Sequence, residues 1–103
     1  MRCIVKFTIP VEVGNDLVRS GRLGEVAQAV IKTIGPEAVY FTAENGTRGG
    51  IMIVDVADAS DLPRIAEPLF LAFNSAVEIL PCMLPEDLGR AAGSIADAVE
   101  KFG

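Results

Sequence analysis

Few side chains in this 103-residue sequence have the type and spacing to do chemistry. Lys6 sits in an N-terminal run, Met1-Arg2-Cys3-Ile4-Val5-Lys6-Phe7, that alternates like a strand. Glu78 sits in a later run of the same kind, from about Ala76 to Met83. A lysine and a carboxylate brought together can hold a polar ligand or move a proton. Buried, each is costly unless paired. Tyr40, in the run Glu37 to Glu44, adds a phenol hydroxyl that can orient a ligand. Arg48-Gly49-Gly50 has the composition of a phosphate nest, but it does not precede a helix, and a hairpin with a close backbone approach is the simpler reading. Pro85-Glu86-Asp87 holds two adjacent carboxylates; proline followed by acids suits the first turn of a helix, whose dipole is positive there. Asn74-Ser75 reads as a helix-ending turn or a pocket mouth.

What is missing narrows the chemistry further. The chain has no histidine, which removes the commonest general base and metal ligand and the usual proximal haem ligand. A Ser-His-Asp or Cys-His site cannot be built from it, and zinc catalysis is not expected. No metal and no cofactor is expected. Cys3 and Cys82 form no Cys-x-x-Cys pair. They read as two buried, reduced thiols, or as a redox pair if the first and last strands are neighbours. The net charge is −5 with no basic cluster, so nucleic acid and anionic membrane are poor partners. The longest apolar runs fall far short of the ~20 residues of a membrane-spanning helix. The alternating N-terminus lacks the apolar core of a signal peptide, so a cytoplasmic protein is expected.

The elements that must position these groups repeat. Each half of the chain reads strand, helix, strand, and the halves meet at Glu44-Asn45-Gly46-Thr47-Arg48-Gly49-Gly50. Asn-Gly is a strong hairpin signal because both residues tolerate positive φ. The resulting β-α-β-β-α-β order predicts an α+β, ferredoxin-like domain over 1–103. Its four-stranded antiparallel sheet has order 4-1-3-2, and a C-terminal helix follows. Strands are expected over about Arg2 to Ile9, Glu37 to Glu44, Gly49 to Val56 and Ala76 to Met83. A helical region from Val11 to Ile34 breaks near Gly21, and its main part carries the stripe Leu23, Val26, Ala27, Val30 and Ile34. A second helix begins near Ser60 or Asp61 with the stripe Leu62, Ile65, Ala66, Leu69 and Phe73; Pro68 predicts a kink or restart. A third, opened by Pro85, carries Leu88, Ala92, Ile95, Val99 and Phe102, a narrow seam suited to packing on another helix or sheet. Gly89 and Gly93 weaken it enough to predict two pieces.

Sorting strand residues by parity separates two faces. Val5, Phe7, Val39, Phe41, Met52, Val54, Val77 and Ile79 make the helix side. The other face collects Ile4, Lys6, Thr8, Tyr40, Thr42, Ile51, Ile53, Asp55, Glu78 and Leu80. It is neither a solvent face nor a core face, and its apolar members would form a patch of the kind that marks an interface or pocket. Lys6, Thr8, Tyr40, Thr42, Ile53, Asp55 and Glu78 are therefore the candidate ligand-binding residues. The expected strand order sets Lys6 beside Glu78, either as a structural ion pair at an interface or as a ligand-binding or acid-base pair in a cavity.

This strand pattern with its mixed face resembles the dimeric α/β-barrel superfamily, in which two ferredoxin-like units pack sheet to sheet. Three segments, Ala43-Glu44-Asn45-Gly46 with Arg48-Gly49-Gly50, Ile65-Ala66-Glu67-Pro68 with Phe70-Leu71-Ala72-Phe73, and Pro85-Glu86-Asp87-Leu88, resemble an uncharacterised bacterial family within it. The resemblance implies the fold and a homodimer. The superfamily's haem-handling and monooxygenase members use histidine, tryptophan or asparagine near the reacting centre. With neither His nor Trp here, no catalytic role is carried onto a residue. The expected function is a homodimer whose inter-sheet cavity binds a small, partly apolar molecule. The alternatives are a cofactor-independent isomerase or monooxygenase, with Lys6 and Glu78 as acid-base groups and Tyr40 orienting the substrate, and a purely structural dimer.

Overall fold

The structure, a computed structural model, describes residues 1–103. In β1 (Arg2–Ile9), Cys3, Val5, Phe7 and Ile9 are buried on one face while the residues between them face away from the core. Pro10 ends the strand, and α1 (Val11–Arg19) begins directly after it. The chain then turns at Gly21, whose φ of 74° is strained for any side chain-bearing residue, and enters α2 (Leu23–Ile34). Gly35, also left-handed, stops α2. β2 (Ala38–Glu44) and β3 (Thr47–Asp55) are joined by Asn45 and Gly46 with φ of 54° and 78°. Two successive positive φ values are the signature of the turn whose twist matches that of paired strands.

A single 3-10 turn, Ala59–Asp61, leads into α3 (Leu62–Phe73). The Asp58 carboxylate accepts the Ser60 N–H at 2.9 Å and so satisfies a donor at the turn's open end. The restart expected at Pro68 does not occur: α3 runs unbroken from Leu62 to Phe73. Its proline forgoes one backbone hydrogen bond, but Ile65, Leu69 and Phe73 lie on either side of it, 0%, 0% and 1% exposed, and their burial outweighs that loss. Asn74, in the left-handed region, ends the helix. β4 (Val77–Pro81) is shorter than expected, and α4 (Pro85–Arg90) and α5 (Ala92–Phe102) follow as two pieces. At the start of α4 the Asp87 carboxylate accepts the Leu84 N–H at 2.9 Å, so this acid serves the helix start.

The sheet has order β2-β3-β1-β4, which read from the β4 edge is 4-1-3-2, and every neighbouring pair is antiparallel. The core lies between one face of it and the helices: the inward residues of β1 and β3 meet Val30 and Ile34 of α2 and Ile65, Leu69 and Phe73 of α3. Full burial of each large apolar side chain contributes about 1.5–3 kcal/mol, so this layer supplies most of the drive to fold. Arg64 ties the two helices together by donating to the carbonyl of Ile34 at the end of α2.

Two regions escape this packing. On β2, Phe41 has helix-side parity yet is 57% exposed, because the helical layer stops short of the edge strand. Beyond β4, neither α4 nor α5 buries a single residue. The radius of gyration is 17.3 Å and the long axis 59 Å, against about 13 Å for the radius of a compact domain of this length. The C-terminal helices therefore project from the body as an arm. No helix is long and apolar enough to cross a membrane.

Candidate functional site

The face opposite the helices is laid out in rows by the strand register. Nearest the β2–β3 hairpin, Thr8, Gly49 and Thr42 stand side by side. The next row holds Glu78, Lys6, Ile51 and Tyr40. The third is apolar: Leu80, Ile4, Ile53 and Ala38. The last pairs Arg2 with Asp55. Polarity thus changes along the strands, from hydroxyls through a charged row to a hydrocarbon strip.

Gly49 shapes the first two rows. A side chain there would drive its Cβ to 2.3 Å from the Phe7 carbonyl oxygen, so the close pairing of β3 with β1 requires glycine. The missing side chain leaves a trough of about 150 Å³, lined by Lys6, Thr8, Thr42, Glu44, Thr47 and Glu78 among others. That is room for roughly five waters. Strands lie about 4.8 Å apart, so two intervals separate β1 from β2. The Lys6 stem crosses this gap over the bare glycine, and its Nζ comes to 3.7 Å from Glu44 Oε1.

This revises the expected charge pairing. Lys6 and Glu78 are direct cross-strand neighbours, as expected. Yet the lysine forms its ion pair with Glu44, and Glu78 forms none. The lysine swings toward the glycine trough because Gly49 offers no obstacle there. Both members of the Lys6–Glu44 pair are exposed, at 37% and 54%, so it contributes only about 0–1 kcal/mol and its groups are free to engage something else.

Of the residues expected to line a site, Lys6, Thr8, Thr42 and Glu78 converge on the trough. Tyr40 stands beside it at 67% exposure. Ile53 belongs to the apolar strip one row further on. Asp55 lies at the far end of β3, where its carboxylate is 3.0 Å from the Met1 amine, and takes no part in the trough. Glu44 and Thr47 were not anticipated. Glu44 shares the parity of Tyr40 and Thr42, and that signal was available; its approach to Lys6 was not, since it depends on an empty place on the intervening strand. Cys3 is buried in the core, Cys82 is half-buried, and neither is in a disulfide. No three Cys, Asp or Glu side chains are grouped where they could hold a metal ion. The trough offers one ammonium, two carboxylates and three threonine hydroxyls beside an isoleucine surface, which suits a molecule with both polar and apolar parts.

No protein-family model matches the chain, and no curated protein is significantly similar to it in sequence.

Proposed function

We propose that the chain is a ferredoxin-like unit of a dimeric α/β barrel, two copies facing sheet to sheet, and that the trough around Lys6 becomes an inter-sheet cavity binding a small, partly apolar molecule. The observation that carries this reading is the bare, mixed face. Ile4, Ile51, Ile53 and Leu80 form a continuous hydrocarbon strip that no helix of the same chain covers. The accessible area supports it. The chain exposes 6799 Å², against about 5,600 Å² for a compact monomer of its 10.9 kDa mass. The excess of about 1,200 Å² is shared between the projecting α4–α5 arm, which buries no residue, and the uncovered sheet face, so the chain as a whole has surface to spare for a partner. The trough favours a ligand over a filled structural interface, because a second sheet laid over Gly49 traps space that no side chain occupies.

Light scattering tests the reading. The chain at micromolar concentration is expected to show twice its 10.9 kDa mass. Ile53→Asp is expected to run as a folded monomer, since pairing would bury an uncompensated carboxylate. A monomeric parent removes the reading, and an Ile53→Asp variant that stays dimeric removes this face from the interface. Small amphipathic fragments screened by NMR are expected to move the amides of Thr8, Thr42 and Ile51 in the parent and not in the monomeric variant.

A further inference from the structure

On the other side of the sheet, where the helical layer stops short of β2, a second cleft opens. It holds about 310 Å³ and is lined by Leu23, Ala27, Phe41, Thr42, Arg48 and Phe73 among others, with Gly49 of β3 at its floor. Its walls are mostly hydrocarbon and aromatic; the polar side chains among them are Thr42 and Arg48, and Arg48 carries the only charge. We propose that this cleft is a binding site for a small monocarboxylic acid with an aromatic or branched apolar body, its carboxylate held by Arg48. The inference is independent of how the sheets pair.

Three features argue that the cleft is built for a ligand. The first is how Arg48 is held. Its Nη1 donates to Asn15 Oδ1 at 3.0 Å, a neutral acceptor, and this is the only hydrogen bond the guanidinium makes. No carboxylate lies within ion-pair distance of it, although the chain carries 14 acidic residues. A half-buried guanidinium with one of its five donors used has a fork left for a planar, bidentate acceptor, which a carboxylate supplies and an alcohol or amide does not.

The second is the berth beneath it. Gly14 is buried within α1, where glycine costs about 1 kcal/mol relative to alanine. A Cβ there would stand 2.7 Å from Arg48 Nη1. The sequence accepts a poor helix former at the position of α1 against which the Arg48 side chain lies, and a side chain there would push the guanidinium away from its present place.

The third is the aromatic wall. Gly50 lies between Phe7 and Phe41 in the register. Its missing side chain lets the two rings meet edge to face, centroids 6.3 Å apart at 87°. Phe7 also stacks on Phe73 at 6.5 Å and 11°. Phe41 is thereby braced in place while 57% exposed at the cleft edge, presenting an aromatic ring that no part of the chain covers. The space matches roughly ten water-sized groups, the size of a phenyl ring carrying a short acid. One guanidinium and one threonine hydroxyl among mostly apolar walls suit a single carboxylate; a phosphate would call for more charged donors than the cleft has.

The probes are phenylacetate and its neutral isostere phenylacetamide, titrated into isotopically labelled full-length protein and followed by backbone amide shifts. Phenylacetate is expected to move the amides of Leu23, Ala27, Phe41 and Arg48, and to bind about tenfold more tightly than the amide. Arg48→Gln is expected to abolish that preference while leaving the weak binding of phenylacetamide. Phe41→Ala, a change at an exposed position, is expected to weaken both probes alike. Unshifted resonances of Val5, Val54 and Leu69 in each variant verify that the core is intact. No shifts at the solubility limit, equal binding of acid and amide, or an Arg48→Gln variant that keeps the preference would each overturn the proposal. Shifts confined to Lys6, Thr8 and Glu78 would also overturn it, placing the acid in the sheet-face trough instead.

Discussion

Helices α3 and α5 carry nearly the same apolar pattern and meet opposite fates. In α3 the stripe through Ile65, Leu69 and Phe73 is buried to within 1%. In α5 the stripe through Ile95, Val99 and Phe102 is 50%, 64% and 89% exposed. Spacing says that a helix has a face needing cover; it does not say where the cover comes from. The difference lies in connection. α3 joins β3 to β4, which run parallel with β1 between them, so the crossover must lie back across the sheet. α5 is reached from β4 only through α4, and neither helix buries a residue against the sheet.

The largest expected effect tests the buried member. Leu69→Ala should lower the unfolding free energy by about 2–5 kcal/mol, since it deletes a fully enclosed side chain from a packed layer. Urea denaturation at a concentration that holds the chain monomeric measures it, and a loss below ~1 kcal/mol would mean that the α3 stripe is no better packed than that of α5.

Next comes the exposed member. Val99→Ser should leave the monomer's unfolding free energy within about 0.5 kcal/mol of the parent, as substitutions at uncovered positions do. If the arm is covered by a second copy, the same variant should weaken dimerisation by roughly tenfold, or ~1.4 kcal/mol, in a dilution series followed by light scattering. A monomer destabilised as strongly as by Leu69→Ala would show that α5 packs on its own body, and the comparison would fail.

A smaller effect concerns helix formation itself. Gly93 in α5 has open space where a side chain would go. Gly93→Ala should therefore strengthen the helix by up to about 1 kcal/mol, seen as slower amide exchange in α5 with the global unfolding transition unmoved. A rise in global stability would tie α5 to the core.

The smallest effect is electrostatic and belongs to the start of α3. Hydrogen bonding from the Arg64 side chain, helped by the Ala57 N–H, holds the Asp61 carboxyl at about 2, below the usual carboxylate range. Because the folded value is the lower one, the contribution is complete above the unfolded value near 4 and is lost as pH falls from there toward 2. Asp61→Asn should flatten the fall in stability across that window, lying slightly below the parent at neutral pH and meeting it near pH 2. The carboxyl carbon shift of Asp61 gives the midpoint directly, and a midpoint near 4 would show that the pairing is absent in solution.

Local signals accounted for much of the fold. Alternation placed Cys3, Val5, Phe7, Ile9, Met52 and Val54 on the buried face, because side chains on a strand alternate with period two whatever surrounds them. Asn45-Gly46 and Asn74 marked turns because their backbones accept positive φ cheaply. The same rules went wrong where the environment competes. Pro68 did not break α3, since burial on both sides outweighed one lost hydrogen bond. Phe41, apolar and of core parity, remained exposed, since parity names a face and not the extent of the layer covering it. At the trough, parity grouped Lys6, Thr8, Thr42 and Glu78, while the reach of Lys6 to Glu44 escaped it.

By itself, then, the sequence determined what depends on neighbours within a few positions: strand faces, helix stripes, turn sites, and the exclusion of histidine chemistry. Only the tertiary structure decided what depends on residues far apart in the chain. It placed Gly49 under the path of Lys6, Gly14 beneath Arg48, and Gly50 between two phenylalanines. Each is a glycine whose consequence appears only when another segment crosses it, because an absent side chain acts through what it lets approach.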